Sequence, residues 1–202
     1  GIFFLYNLCR SLRSGGLEDI SKESNTDSTM HSQQSLDLEC EQAIRLLVAN
    51  VPPSDEQSRK PALIHALRVG VYLYQREYSR EIILAGFLHD AVEWAGIHER
   101  AVREAFGERV ASIVTACTKD DSIKKPVEKI NELIGRCVAN GHDALIVKAA
   151  DIIDSFSYYS RVQNERELLY CRQNAEAIAR LKPESFIDPV FAELFAAFQR
   201  HR

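Results

Sequence analysis

Residues 82–95 restrict the fold of this chain most, because an almost continuous apolar stretch there contains three ionisable side chains. A helix that is apolar almost all round is typical of a buried position. An ionisable group in such a position costs several kcal/mol of stability unless it is paired or binds a metal. We therefore expect His89, Asp90 and Glu93 to have partners within the core. Glu93 lies four residues after His89 on the same helix face, and Asp90 lies about 100° round the helix.

Apolar residues along the rest of the chain also recur at helical spacing, and no two alternating runs are joined by a hairpin turn. The pattern predicts an all-α chain with about eight or nine helices. Pro52 and Pro53 end the first of them, and Pro61 suits the first turn of the second, where its missing N–H costs nothing. The predicted helices cover residues 36–51, 61–74, 80–95, 99–106, 108–118, 127–138, 143–159, 165–181 and 191–198.

Residues 1–35 differ in composition from the rest, since the chain is polar and rich in serine from residue 11 onward, with a Gly15-Gly16 pair. This composition predicts a flexible N-terminal tail at residues 1–35, followed by one folded domain at residues 36–202. The apolar segment 1–8 lacks the basic start and small-residue cleavage site of a signal peptide. Met30 is the only methionine, so one interpretation is that natural translation starts there, and a natural flexible extension is the alternative.

The composition also argues against several classes of partner. The net charge is -4 and the 25 basic residues are scattered, which gives no electrostatic footprint for nucleic-acid binding. No apolar run reaches the ~18 residues that a membrane helix needs. The five cysteines are widely spaced without a CxxC pair, so we expect free thiols and a cytoplasmic location. The sequence leaves open whether the chain forms a homo-oligomer.

Two further ionisable residues stand among apolar neighbours on other predicted helices, His65 and Asp151. Together with His89 and Asp90, they predict one metal site of mixed nitrogen and oxygen ligands. That ligand set suits Mn²⁺, Fe²⁺ or Zn²⁺ better than Ca²⁺ and leaves positions for water and substrate. A metal with open positions can lower the pKa of a bound water and hold phosphate oxygens. The alternative is a core histidine satisfied by a neighbouring carboxylate, because a lone His-Asp pair arises by chance in many chains.

The arrangement of His65, His89-Asp90 and Asp151 resembles that of the HD superfamily of metal-dependent phosphohydrolases. Residues 86–93, Gly-Phe-Leu-His-Asp-Ala-Val-Glu, are similar to the signature of hydrolases that degrade the alarmone ppGpp, namely the RelA/SpoT hydrolase domain and its small stand-alone relatives. Residues 105–119 and 146–151 are similar to later segments of those enzymes. The resemblance covers roughly residues 40–182 and implies an HD-domain helical bundle.

The same resemblance implies roles for particular residues. It implies four metal ligands with Mn²⁺ as the usual ion: His65, His89, Asp90 and Asp151. Glu93 would orient or deprotonate the attacking water. Lys119 and Lys148 would help to organise the site or its phosphates, and the alternative for both lysines is an ordinary solvated charge.

The sequence departs from the family pattern in several places, and Ser58-Arg59-Lys60-Pro61 stands where the family has a basic residue in a Ser-Gly-Glu-Pro loop. Two further departures concern single side chains. Trp94 stands where the family has a second acidic residue, and Ser155 replaces an asparagine expected near the nucleotide. We expect Trp94 to narrow the pocket or to stack on a substrate base, with simple core packing as the alternative. The metal ligands match the family while the residues near the nucleotide differ, which predicts phosphoester hydrolysis with an altered substrate.

Three functional hypotheses follow. The first is a metal-dependent phosphohydrolase of a small nucleotide-like phosphoester, with guanosine 3′,5′-bis(diphosphate) 3′-pyrophosphohydrolase as the candidate activity. The second is an HD-type nucleoside 5′-monophosphate phosphatase. The third is a catalytically weakened regulatory or interaction module that keeps the metal only for stability. Release of pyrophosphate, release of phosphate, or metal binding without turnover would distinguish them.

Overall fold

All regular secondary structure in the described part of the chain is helical, as the sequence predicts. The computed structural model describes residues 23–55 and 58–201, with side chains from residue 33 onward. The chain divides into two compact units, Gly1–Ser35 and Leu36–Arg202. The ten helical segments in the described ranges are α1 (Glu23–Asn50), α2 (Ala62–Gln75), α3 (Arg80–Leu88), α4 (Ala91–Trp94), α5 (Glu99–Phe106), α6 (Glu108–Cys117), α7 (Pro126–Asn140), α8 (His142–Arg161), α9 (Glu165–Leu181) and α10 (Pro189–Arg200).

The first helix begins at Glu23, thirteen residues before the predicted start. Residues 23–35 of the expected tail are therefore helical, and residues 1–22 lie outside the described part of the chain. The serine, threonine and asparagine residues that favoured a linker are only weak helix formers. No glycine or proline stands between residues 23 and 50 to interrupt the helix. The prolines that follow end it at Asn50, close to the predicted boundary.

The predicted helix at residues 80–95 is broken into two pieces at His89 and Asp90. His89 is the C-terminal cap of α3, and Asp90 has left helical geometry, with φ −101° and ψ 2°. The single turn of α4 then carries Glu93 and Trp94. Because of the break, His89 and Asp90 lie between α3 and α4, and Glu93 does not share one continuous helix face with His89.

Helix α8 is the central element of Leu36–Arg202, since it packs against α2, α3, α6, α7, α9 and α10. Twelve of its residues are buried, including the polar Lys148, Asp151 and Ser155. A helix surrounded on most sides brings any polar residue it carries into the core, where that residue needs a partner. Of these residues, Asp151 lies beside His65 of α2.

Helices α2 and α3 approach each other closely because each has a glycine at the contact. A Cβ built on Gly70 would lie only 2.5 Å from Cε1 of Phe87, and one built on Gly86 would lie 3.5 Å from Cα of Gly70. A side chain at Gly70 would collide with the ring of Phe87, and one at Gly86 would collide with Cδ1 of Leu73. The close approach places His65 of α2 beside His89 at the end of α3.

Two further features bear on the expectations from composition. Cys40, Cys117, Cys137 and Cys171 are buried free thiols, and Cys9 lies outside the described residues. Within the described ranges, the helices are too short or too polar for any of them to traverse a bilayer.

Candidate metal centre and catalytic cavity

Two buried histidines face each other at the contact between α2 and α3. Their Nε2 atoms lie 3.1 Å apart. The Nδ1–H of His89 donates to the carbonyl of Gly86 at 2.8 Å, and the Nδ1–H of His65 donates to Oδ2 of Asp154 at 2.6 Å. Both Nε2 atoms consequently carry the lone pair. Two lone pairs at this distance repel unless a cation lies between them.

The two aspartates complete the cluster. Oδ1 of Asp151 lies 3.1 Å from Nε2 of His65 and 3.8 Å from Nε2 of His89. Oδ2 of Asp90 lies 3.7 Å and 3.5 Å from the same two nitrogen atoms. Ligands bonded to one ion at ~2.0–2.2 Å lie ~3–4.4 Å from one another. The spacing of the donors of His65, His89 and Asp151 therefore fits a single divalent ion.

The predicted ligands do not contribute equally to the cluster. One ligand atom each from His65, His89 and Asp151 lies within 4.8 Å of the other two. Asp90 lies beside this group, close to both histidines. Burial lowers the pKa of His89, which favours the neutral imidazole that metal ligation requires. Imidazole nitrogen and carboxylate oxygen are donors that could hold a divalent metal.

Asp154 and Arg68 support the cluster from behind, and the sequence analysis missed both. Asp154 accepts from His65 and from Nη2 of Arg68 at 2.8 Å. Burial would raise the pKa of Asp154, but the hydrogen bonds from Arg68 and His65 outweigh it and lower that pKa to about 2. A carboxylate that orients a ligating imidazole is a common supporting element of metal sites. The only sign of Asp154 in the sequence was its position three residues after Asp151.

Lys148 is buried and paired rather than solvated. Its Nζ donates to Oδ2 of Asp151 at 2.6 Å. Burial would raise the pKa of Asp151, but the positive charges of Lys148 and Lys60 hold that pKa well below its usual range. Ser155 donates to Oδ1 of the same carboxylate at 3.3 Å. Both predicted substrate-binding residues of α8 therefore contact a predicted metal ligand directly.

Lys60 also reaches the cluster, although the sequence analysis did not select it. Its Nζ lies 2.7 Å from Nε2 of His65, 3.5 Å from Oδ1 of Asp151 and 3.0 Å from Oγ of Ser155. The ammonium group thereby supplies positive charge where the lone pairs converge. The sequence signal was a basic pair, Arg59-Lys60, directly before the proline that starts α2.

Glu93, Trp94 and Lys119 form a second group, which lines a cleft beside the cluster. Oε1 of Glu93 accepts from Nζ of Lys119 at 2.7 Å, whereas Oε2 is buried without a hydrogen-bond partner among the described residues. A buried carboxylate oxygen without a partner is unfavourable, so a water or ligand is expected there. Trp94 is 37% exposed and lines the cavity, which removes the core-packing alternative.

The cluster lines a small cavity of about 30 Å³, which has room for an ion or a water molecule. A wider, solvent-open cleft of about 660 Å³, a size suited to a small ligand, shares part of the lining of this cavity, namely Arg59, Trp94, Lys119 and Tyr170. Four basic side chains face the inner cavity along with two of the aspartates. The arrangement offers positive charge for phosphate oxygens next to a group of metal-ligand donors.

Comparison with protein families gives a match over most of the described domain. The family model described as HD domain matches residues 43–175. This range contains the four predicted ligands, His65, His89, Asp90 and Asp151. It also contains Glu93, Trp94 and Lys119.

Among characterised relatives, the guanosine-3′,5′-bis(diphosphate) 3′-pyrophosphohydrolase of Aquifex aeolicus (strain VF5) is 30% identical over 131 residues, which cover 62% of this chain and 19% of the relative. The probable guanosine-3′,5′-bis(diphosphate) 3′-pyrophosphohydrolase of Mycoplasma pneumoniae is 24% identical over 148 residues, covering 68% of this chain and 20% of the relative. The chain thus spans about a fifth of the length of these curated relatives.

Solved structures share the fold. A metazoan ortholog of SpoT that hydrolyses ppGpp superposes with a TM-score of 0.64 at 19% identity, over 80% of this chain and 94% of that one. A protein from Listeria monocytogenes EGD-e gives a TM-score of 0.58 at 20% identity, over 73% of this chain and 99% of that one. At these identities the likeness concerns the helical bundle alone.

Proposed function

Because this chain belongs to the HD domain family, we propose that it is a divalent-metal-dependent phosphohydrolase of a nucleotide-like phosphoester. The observation that carries the proposal is the convergence of His65, His89 and Asp151, whose ligand atoms lie within 4.8 Å of one another. These donors come from three different helices and are all buried. A core without a ligand would gain nothing from gathering them.

The proposed ligands are His65, His89, Asp90 and Asp151, and the proposed ion is Mn²⁺, in keeping with the mixed nitrogen and oxygen donors. Such an ion, when bound, lowers the pKa of a water and neutralises charge on phosphoryl oxygens. Asp154 keeps the imidazole of His65 oriented with Nε2 towards the cluster. Lys148 holds Asp151 ionised through its hydrogen bond to Oδ2.

Glu93 is the proposed general base. Lys119 fixes Oε1 and leaves Oε2 unpaired, so this oxygen is available to accept a proton from the attacking water. A general base of this kind contributes typically ~10²–10⁴ to the rate. The basic side chains of the cavity, Lys119 among them, would neutralise the phosphate of the substrate.

The proposed reaction is release of pyrophosphate from the 3′ position of ppGpp. Support comes from the relatives at 24–30% identity, which carry that activity in their names. Trp94 replaces a carboxylate of the family pattern, and this substitution favours a second candidate, hydrolysis of nucleoside 5′-monophosphates. Trp94 lines both the cavity and the adjoining cleft, so it stands where the substrate would contact it.

A panel of nucleotides tests the proposal. The purified chain, stripped with EDTA and then supplied with Mn²⁺, is incubated with ppGpp and with nucleoside 5′-monophosphates, and pyrophosphate and phosphate are measured separately. We expect metal-dependent release of pyrophosphate from ppGpp. Phosphate from monophosphates would favour the second candidate. Binding of Mn²⁺ without turnover of any nucleotide would contradict both and indicate a non-catalytic module.

A further inference from the structure

Asn174 is a buried polar residue of α9 that lines the cavity and that the proposed mechanism does not use. It is 1% exposed. Its Nδ2 donates to the backbone carbonyl of Tyr170 at 2.8 Å. Because a carbonyl can only accept, the amide nitrogen must face Tyr170, and this fixes the orientation of the side chain. Oδ1 is therefore the atom that remains, and it has no hydrogen-bond partner among the described residues.

An unpaired amide oxygen is unfavourable in a packed helix. Burial removes water from Oδ1 without a replacement, and asparagine is also a weak former of helix interiors. An apolar residue of similar size would avoid both costs. A residue that weakens local stability in this way is typical of a functional position.

A second unpaired atom lies on the same wall. The hydroxyl of Tyr170, one helical turn before Asn174, is also buried without a hydrogen-bond partner in the described part of the chain. Tyr170 lines the inner cavity and the outer cleft alike. Two residues of α9 with an unpaired polar atom thus line the cavity that Asp90 and Asp151 also line.

The chemistry of Oδ1 restricts what can bind there. This oxygen only accepts hydrogen bonds, so its partner must be an N–H or O–H donor. An ionised phosphate group has no donor to offer. In a nucleotide the donor must come from the nucleoside, either a base N–H or a ribose hydroxyl.

We propose that Asn174 accepts a hydrogen bond from the nucleoside of the substrate and so selects nucleotides over other phosphate compounds. The inference rests on the proposed function and adds the part of the substrate that α9 recognises. The basic residues of the cavity hold phosphate and do not discriminate between nucleotides and inorganic anions. The amide supplies that discrimination, since a nucleoside offers its unpaired oxygen a hydrogen-bond donor that a fully ionised phosphate lacks.

Equilibrium binding tests the inference independently of turnover. Trp94 is the only tryptophan and lines the cavity, so its fluorescence reports occupancy. The probes are guanosine 5′-diphosphate, its 2′,3′-dideoxy analogue and inorganic pyrophosphate, each titrated into the wild-type chain and Asn174→Leu. We expect Asn174→Leu to weaken binding of guanosine 5′-diphosphate about tenfold, as for one lost hydrogen bond, and to leave pyrophosphate binding unchanged.

The dideoxy analogue identifies the donor. If a ribose hydroxyl donates to Asn174, the analogue binds the wild type and Asn174→Leu equally; if the base donates, Asn174→Leu weakens both nucleotides. Asn50→Leu is the matched control, because Asn50 makes the same bond to a carbonyl four residues earlier, Leu46 at 2.8 Å, from an exposed position. This control should bind all three probes as the wild type does.

Three results would overturn the inference: no binding of guanosine 5′-diphosphate to the wild type, equal loss for nucleotide and pyrophosphate, or no loss at all. No loss of binding would mean that a water molecule already donates a hydrogen bond to Oδ1 of Asn174. Asn174→Ala serves as the second variant if the leucine side chain prevents folding, as judged by circular dichroism. Nucleotide-selective loss in a chain that hydrolyses nothing would support the nucleoside contact and reject the proposed hydrolase, so the two failures are distinguishable.

Discussion

Replacing Gly70 with alanine should loosen the contact that brings the two histidines together. The new Cβ would lie 2.5 Å from Cε1 of Phe87, whereas unstrained carbon atoms lie ~3.5–4.0 Å apart. The shortfall is therefore ~1.0–1.5 Å. Phe87 is buried in the core, so relief of the clash by a shift of its ring would disturb its neighbours, and we expect α2 and α3 to separate. Separation would draw His65 away from His89.

The magnitude follows from a comparison of two glycines. An overpacked core costs ~1–3 kcal/mol, while the better helix propensity of alanine returns ~1 kcal/mol. Gly135 of α7 is the matched control, because a Cβ there would have no atom within 4 Å. Gly135→Ala should gain only the ~1 kcal/mol of stability that comes from the better helix propensity of alanine. The two variants should then differ by ~1–3 kcal/mol, which is ~2–12 °C in Tm for a chain of this size.

The assay is thermal unfolding followed by circular dichroism, with Mn²⁺ binding measured on the same samples. We expect Gly70→Ala to melt below Gly135→Ala and to bind Mn²⁺ more weakly. If the two alanine variants had equal melting temperatures, the tight contact of α2 with α3 would not exist as described. If Gly70→Ala lost stability but kept full metal affinity, the contact would not be what positions the histidines.

Three other predictions concern single side chains. Glu93→Gln should lower kcat by ~10²–10⁴ while Mn²⁺ still binds, and full activity would remove Glu93 from the mechanism. Trp94→Asp should raise the rate of pyrophosphate release from ppGpp. An unchanged rate would mean that residues other than Trp94 alter the substrate specificity. Burial and nearby carboxylates raise the pKa of Cys40 to about 11 from 9.0. Iodoacetamide at pH 8 should therefore modify Cys40 ~100-fold more slowly in the folded than in the unfolded chain, as mapped by mass spectrometry, and equal rates would contradict this.

The helices and the four predicted ligands were accessible from the sequence for one reason. A helix buried on several sides is apolar throughout, so an ionisable residue in it stands out. His65, His89 and Asp151 were selected on that ground, and the structure brings their side chains together. Spacing along one helix was a poorer guide, because the turn at His89 and Asp90 interrupts the helix on which the spacing was counted.

The residues that the sequence did not reveal depend on contacts between distant segments. Lys60 precedes α2 and resembles any surface lysine until α8 packs beside it. Asp154 and Arg68 become a pair only when α2 and α8 meet. Asn174 lies in an amphipathic helix where an asparagine is unremarkable, and only its unpaired oxygen distinguishes it. The periodicity of apolar residues indicates which face of a helix is buried. It does not indicate which residues of other helices contact that face.

Calorimetric titration with MnCl₂ measures whether His65, His89, Asp90 and Asp151 hold a divalent ion. The wild type, His65→Ala and His98→Ala are stripped of metal and titrated, with His98 as the control because it is exposed and outside the cluster. We expect the wild type to bind one Mn²⁺ per chain. His65→Ala should bind the ion at least tenfold more weakly, and His98→Ala should bind it as tightly as the wild type does. At 100 times its Kd, the ion should stabilise the wild type by ~2.7 kcal/mol. A wild-type chain that binds no divalent ion, or equal affinity for Mn²⁺ in all three proteins, would contradict the proposed metal site.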